Sequence, residues 1–129
     1  MKYKYFYTDY CEDKTISGSE PWEAEKSQIL HSMDCVLHMP NNFLGILNNK
    51  DQCLQFMVQE DSSVLIDIPI TENGVFLGSK SKAVSLADCL TLVQELEENQ
   101  DFTNILPPES LEVHETANGK NKKPWWKFW

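Results

Sequence analysis

The chain of 129 residues contains no arginine; all 11 of its cations are lysine. Arginine supplies the planar fork that reads guanine and clamps phosphate through two hydrogen bonds at once. Its absence, with a net charge of −9, argues against direct nucleic-acid binding, which needs a basic surface. Glycine is scarce, at five residues, and forms neither a G-x-G-x-x-G run nor a phosphate-binding loop. No apolar run approaches the roughly 18 residues of a membrane-spanning helix. The opening MKYKYFYTDY lacks the apolar stretch and small-residue cleavage site of a secretory signal. These absences predict a cytoplasmic location.

Cysteine is present but sparse. Cys11, Cys35, Cys53 and Cys89 are widely spaced with no C-x-x-C pair, so the close-set ligands of a zinc ribbon are missing. Four cysteines are also few for a disulfide scaffold of this length; free, buried thiols in a reducing compartment are expected. His31, Cys35 and His38 fall at i, i+4 and i+7 of a predicted helix, the right residue types for a soft metal ion. They lack a second ligand pair, and the reading is a polar helix flank with no metal and no cofactor. No nucleophile signature such as G-x-S-x-G occurs, and no carboxylate pair stands apart among 20 acids. The chain is not expected to be an enzyme.

What is there is apolar, aromatic and unevenly charged. Hydrophobic residues make up 41% and aromatics 11%, enough for one modest core and too aromatic for a disordered chain. Residues 118–129 hold four lysines and no acid, a charge of +4. Residues 1–117 hold seven lysines against 20 acids, a net −13. The division is into a domain over 1–117 and a basic aromatic C-terminal tail over 118–129. An acidic body attracts basic protein partners.

Periodicity supplies the elements. Residues 2–8 alternate, with Tyr3, Tyr5 and Tyr7 on one face and Lys2, Lys4, Phe6 and Thr8 on the other, as a strand requires. Residues 9–19 read as a loop. A helix is predicted from near Glu20, capped by Ser19, with Pro21 in its first turn. Trp22, Ile29, Leu30, Met33 and Leu37 form its apolar face, and Pro40 ends it. Four strands are expected over 43–47, 52–58, 64–70 and 75–80. They are joined by Asn48-Asn49-Lys50-Asp51, Glu60-Asp61-Ser62 and the hairpin signal Asn73-Gly74. A second helix begins at Ser85 with Asp88 three residues on, with a stripe of Leu86, Leu90, Val93 and Leu96 and Cys89 alongside. Glu95, Glu97 and Glu98 crowd its C-terminal end, the wrong sign for the helix dipole. Residues 111–114 form a short last strand. The fold class is α+β: a single mostly antiparallel sheet of five to six strands, two helices packed on one face, and the opposite face left open.

The stretch Asn41-Asn42-Phe43-Leu44, the Asn/Asp/Lys turn, Leu54-Gln55-Phe56, the acidic turn at Glu60-Asp61 and Val64-Leu65-Ile66 resemble the family-one immunity proteins of bacterial polymorphic-toxin systems. The resemblance spans roughly residues 20–100 and leaves the last dozen uncovered. It implies a protein that binds a cognate toxin, stoichiometrically and without catalysis, and occludes its active site. The acidic body fits a basic, nucleic-acid-acting toxin domain. Asp67 interrupts an apolar strand on the outward face beside Leu65 and Met57, a mixed patch suited to an interface. The residues assigned to toxin contact are Asp61, Asp67 and Glu72 for charge and Leu65 and Met57 for apolar anchoring. The oligomeric state is open.

The tail sets up a second reading. Trp125, Trp126, Phe128 and Trp129 lie within five residues, and each ring can bury about 150–250 Å². The tail has three destinations: its own acidic body, another protein or second copy, or a membrane surface, the last not favoured. If the tail is the working ligand, the protein is a small adaptor and the body only presents it.

Overall fold

A computed structural model describes residues 2–113. The tail assignment, Trp125, Trp126, Phe128 and Trp129, lies outside the described residues, as does His114.

The chain forms one antiparallel sheet of eight strands: β1 (Lys2–Asp9), β2 (Lys14–Ile16), β3 (Trp22–Glu25), β4 (Phe43–Leu47), β5 (Cys53–Val58), β6 (Val64–Glu72), β7 (Val75–Val84) and β8 (Leu111–Val113). Helix α1 (Lys26–Val36) follows β3, and α2 (Leu86–Gln94) follows β7. Two 3-10 turns, Phe102–Asn104 and Pro108–Ser110, precede β8. The order across the sheet is β2-β1-β4-β5-β6-β7-β8, with β3 also paired to β1. The four central strands fall where the apolar and alternating runs placed them, with β6 and β7 extending beyond 70 and 80 to Glu72 and Val84, and they are joined by turns whose Asp51, Ser62, Asn73 and Gly74 all take positive φ. Asn73-Gly74, at φ 53° and 79°, is the two-residue hairpin its sequence demands.

Eight strands replace the expected five to six because β1 is long enough to hold two short partners along one edge. Residues 7–9 of β1 pair with β2, and residues 2–5 pair with β3. The segment read as the first turn of a helix is therefore a strand. In that register Glu25 sits opposite Lys2 and Glu23 opposite Lys4, so unlike charges face each other across the ladder. Ala24 is buried, and Trp22, expected on the helix face, is 61% exposed on the edge strand. The helix starts at Lys26, its N-cap Glu25 makes no side-chain capping bond, and Ser19 and Pro21 play no part in it. It ends at Val36, ahead of Pro40. Short strands at both edges also limit the unpaired backbone offered to other chains.

Helix α2 behaves as its sequence indicates. Ser85 Oγ accepts the Asp88 amide at 3.1 Å, and Cys89 and Val93 are buried with Leu96 just beyond. The acids at its C-terminal end acquire a tertiary counterpart. Lys26 Nζ, from the start of α1, donates to the carbonyls of Gln94 (3.0 Å) and Leu96 (2.5 Å). A cation on the last carbonyls is what the helix dipole favours.

The core lies between the helices and one sheet face. Tyr3, Tyr5, Leu44, Ile46, Leu54, Phe56, Val64, Ile66 and Ile68 meet Ile29, Met33, Cys89, Val93, Leu96 and Phe102 there. The Tyr3 and Phe102 rings stack at 6.4 Å, and Lys80 Nζ reaches the Thr103 and Leu106 carbonyls, which fixes the post-helix turns on the same face.

Among the described residues no disulfide forms, and only Cys53 and Cys89 are buried; Cys11 and Cys35 are exposed, against the expectation of uniformly buried thiols. Burial, with the Asp88 charge beside it, pushes the Cys89 thiol from 9.0 up to about 12. Burial likewise raises Tyr3 and Tyr7, aided by Glu98 for the first and by Tyr5, Asp9 and Cys35 for the second. Each group stays neutral in the fold at a pH where the unfolded chain ionises. For Cys89 the stabilisation is complete below pH 9 and drains away as pH rises to about 12; for the two tyrosines it is complete below pH 10 and is lost above it. In native protein at pH 7.5, a maleimide followed by mass spectrometry is expected to modify Cys11 and Cys35 and spare Cys53 and Cys89 until denaturant is added. Rapid native labelling of Cys89 would contradict this packing.

Candidate functional site

Strand register assembles a second surface on the side away from the helices. The pairs Phe6–Gly45, Gly45–Gln55, Gln55–Asp67 and Asp67–Ser81 run across β1, β4, β5, β6 and β7 in one row. Beside it runs Thr8–Phe43–Met57–Leu65–Ala83. Both rows have the parity opposite to Tyr5, Ile46, Leu54, Phe56 and Ile66, so they face away from the core just described.

This face is more closed than its sequence indicates. Phe6 and Gln55 are fully buried, Phe43 and Cys53 are 2% exposed, and Asp67 is 8% exposed. Met57 and Leu65 stand directly opposite each other in the ladder and are half-buried. The far end of the Phe6 ring occupies the space beside Gly45, where any side chain would collide with it, and the ring meets Phe43 edge-on at 6.4 Å. Gln55 Nε2 donates to Asp67 Oδ2 at 3.2 Å. Its Oε1 is buried and, among the described residues, has no hydrogen-bond partner, an uncommon and costly state for a buried carbonyl oxygen.

Of the five residues assigned to partner contact, Met57, Leu65 and Asp67 therefore share one face. Asp61 and Glu72 do not join them: they flank the two ends of β6, both exposed. Asp61 caps its own turn. Its Oδ1 accepts the Ser63 amide at 3.0 Å and hydroxyl at 2.6 Å, and these bonds hold its carboxyl below the usual range. Phe6, Phe43, Gly45, Cys53 and Gln55 belong to the same face and were not singled out from sequence. Alternation placed Phe6 opposite the tyrosines and Cys53, Gln55 and Met57 on one side of β5; register was the missing information.

A cleft of about 530 Å³ opens elsewhere, between β1, the loop after it and α1, lined by Tyr7, Glu12, Lys14, His31, Cys35 and His38 among others. His31 Nε2 lies 3.7 Å from Cys35 Sγ. His38 Nε2 contacts the Asp34 carbonyl and lies 3.8 Å from its carboxylate, so the helical trio does not converge. Among the described residues no group of three or more His, Cys, Asp or Glu side chains is placed to hold a metal ion. None of the described helices is long and apolar enough to cross a membrane.

No protein-family model, no curated protein and no solved structure matches this chain.

Proposed function

We propose that the chain is an immunity protein: it binds a cognate bacterial toxin and blocks its active site stoichiometrically, without catalysis. The observation that carries this reading is the helix-free sheet face, where the half-buried cross-strand pair Met57 and Leu65 lies beside Asp67 in a body of net −13. Apolar anchors with a charged neighbour give an interface its grip and its register. The acidic field speeds encounter with a basic, nucleic-acid-acting toxin domain. Asp61 and Glu72, at the ends of β6, serve that steering from the rim.

Co-expression with the toxin encoded beside this chain is expected to protect cells, and the two proteins are expected to co-purify. Met57→Lys with Leu65→Lys should weaken binding by about 30-fold or more, the loss of ~2 kcal/mol typical of a hot spot. Asp61→Asn with Glu72→Gln should instead slow association and flatten its salt dependence. Undiminished protection by the Met57 and Leu65 variant would remove this face from the proposal. The adaptor reading is separated by replacing Trp125, Trp126, Phe128 and Trp129 with Ala: an immunity protein keeps its toxin, whereas an adaptor loses every partner.

A further inference from the structure

The cleft between β1, the loop after it and α1 brings together reactive side chains that toxin binding leaves unused. Cys35 is exposed and lines it. His31 lies one helical turn earlier, so both side chains project from the same side of α1. His31 Nε2 stands 3.7 Å from Cys35 Sγ, where a thiol can donate to an unprotonated ring nitrogen. Nucleophile and base in contact are the first requirement of an activated thiol. His38, a further turn on, is instead taken up by the Asp34 carbonyl. From the sheet, β1 presents the half-buried Tyr7. Burial raises its hydroxyl first, then the charges of Tyr5, Asp9 and Cys35, which places the Cys35 sulfur close to Tyr7. The pair therefore looks into a walled space of about 530 Å³, a volume typical of small-molecule pockets. Cys11, also exposed, has among the described residues no imidazole in hydrogen-bond contact with its thiol.

We propose that Cys35 is a thiol-modification site, with His31 as its proton acceptor, for a small zwitterionic disulfide of the glutathione disulfide class. The walls carry charges of both signs. Lys14 is available to a carboxylate, and Glu12 and Asp34 to an ammonium group. Among the described residues neither Lys14 nor Glu12 is committed to an ion pair. A ligand of one sign would leave half of these charges facing their own kind, whereas a peptide-like zwitterion meets both. The step is an exchange. The Cys35 thiol gives its proton to His31 Nε2, and the thiolate attacks one sulfur of the small disulfide. A new S–S bond forms to Cys35 as the old one breaks. The small thiolate leaves and takes the proton back from the imidazolium. The disulfide is the oxidant: one small thiol departs reduced, and Cys35 ends as a mixed disulfide. The cleft lies on the helix side of the sheet, apart from Met57, Leu65 and Asp67, so this inference goes beyond the immunity reading and does not rest on it.

The test incubates the reduced full chain with glutathione disulfide at pH 7.5 and follows each cysteine by peptide mass spectrometry. Cys35 is expected to form its adduct about tenfold or more faster than Cys11. His31→Gln should bring Cys35 down to the Cys11 rate with unchanged circular dichroism. Lys14→Gln should lower severalfold the ratio of Cys35 rates with glutathione disulfide and with neutral 2-hydroxyethyl disulfide, which separates recognition by the cleft from reactivity alone. The comparison of Cys35 with Cys11 needs no variant. Equal rates at the two cysteines overturn the proposal. So does a His31→Gln chain that keeps the full difference, or a ratio that Lys14→Gln does not move. Selective modification of Cys35 in a chain that binds no toxin sinks the immunity reading alone; toxin binding by a chain whose two exposed cysteines react alike sinks this inference alone.

Discussion

Gly45→Ala is expected to lower stability by about 2 kcal/mol, and Gly45→Val by more, from the cost of overpacking a closed site. For a chain of this size the first corresponds to a fall of roughly 1 M in the urea midpoint. A Cβ at this position would stand 2.1 Å from Phe6 Cζ and 2.5 Å from Cε1. Phe6 is its direct partner in the β1–β4 ladder and is fully buried, so the ring has no solvent to retreat into. Glycine within a strand loses backbone entropy on folding and offers nothing to pack; here the neighbouring ring fills the gap it leaves. The pair must therefore fail non-additively. Phe6→Ala alone should cost about 3–5 kcal/mol, and Phe6→Ala with Gly45→Ala should cost no more than Phe6→Ala does, because the collision is gone. Additive losses in the double variant would show that the clash is not what excludes a side chain at position 45.

Asn42→Ala is expected to cost about 3 kcal/mol, since it strips partners from several buried groups at once. Asn42 is 1% exposed. Its Nδ2 donates to Asp9 Oδ1 and to the Val36 carbonyl, each at 2.9 Å, and its Oδ1 accepts the Tyr10 amide at 2.9 Å. Asp9 Oδ1 also accepts the amides of Cys11 (3.0 Å) and Glu12 (3.2 Å). One side chain thus ties the end of β1, the loop after it, the last turn of α1 and the entry to β4. Asn42→Asp is the sharper variant. It places two carboxylates in contact inside the fold and replaces a donor by an acceptor. At neutral pH it should be worse than Asn42→Ala. Beside another carboxylate the introduced carboxyl holds a proton more readily than a free one, and once protonated it can donate again, so part of the loss should return on acidification, in urea melts of the two variants side by side. A loss that does not change with pH would mean that Asp9 and position 42 are not in contact.

Much of this could be read along the chain. A continuous apolar run located β4 to the residue, and alternation located the central hairpins nearly so, because a strand buried on one or both faces writes that burial into the sequence. Asn73-Gly74 and Ser85 acted as local chemistry does, through a positive φ and a backbone amide, with no help from elsewhere. The misread segment was 20–25. A proline and a capping serine argued for a helix, but residues 22–25 pair with residues 2–5 of β1, some 20 residues earlier, and lie in the sheet instead. That choice lies in pairing between distant residues, which a local window does not contain. The candidate surface divided the same way. Met57, Leu65 and Asp67 could be assigned to one outward side from their parity alone, but only the register showed that Asp61 and Glu72 stand apart from them, and that Phe6, Phe43 and Gln55 belong.

The sequence by itself determined the acidic body, the basic aromatic ending, the α+β class and the sidedness of each central strand, because composition and period are properties of single segments. Tertiary structure alone decided the eight-stranded sheet, the cation that Lys26 lends to α2, and the Asn42 and Gly45 keystones. Each of these is a contact between residues far apart in the chain, and its worth depends on how closely packed neighbours exclude water around it.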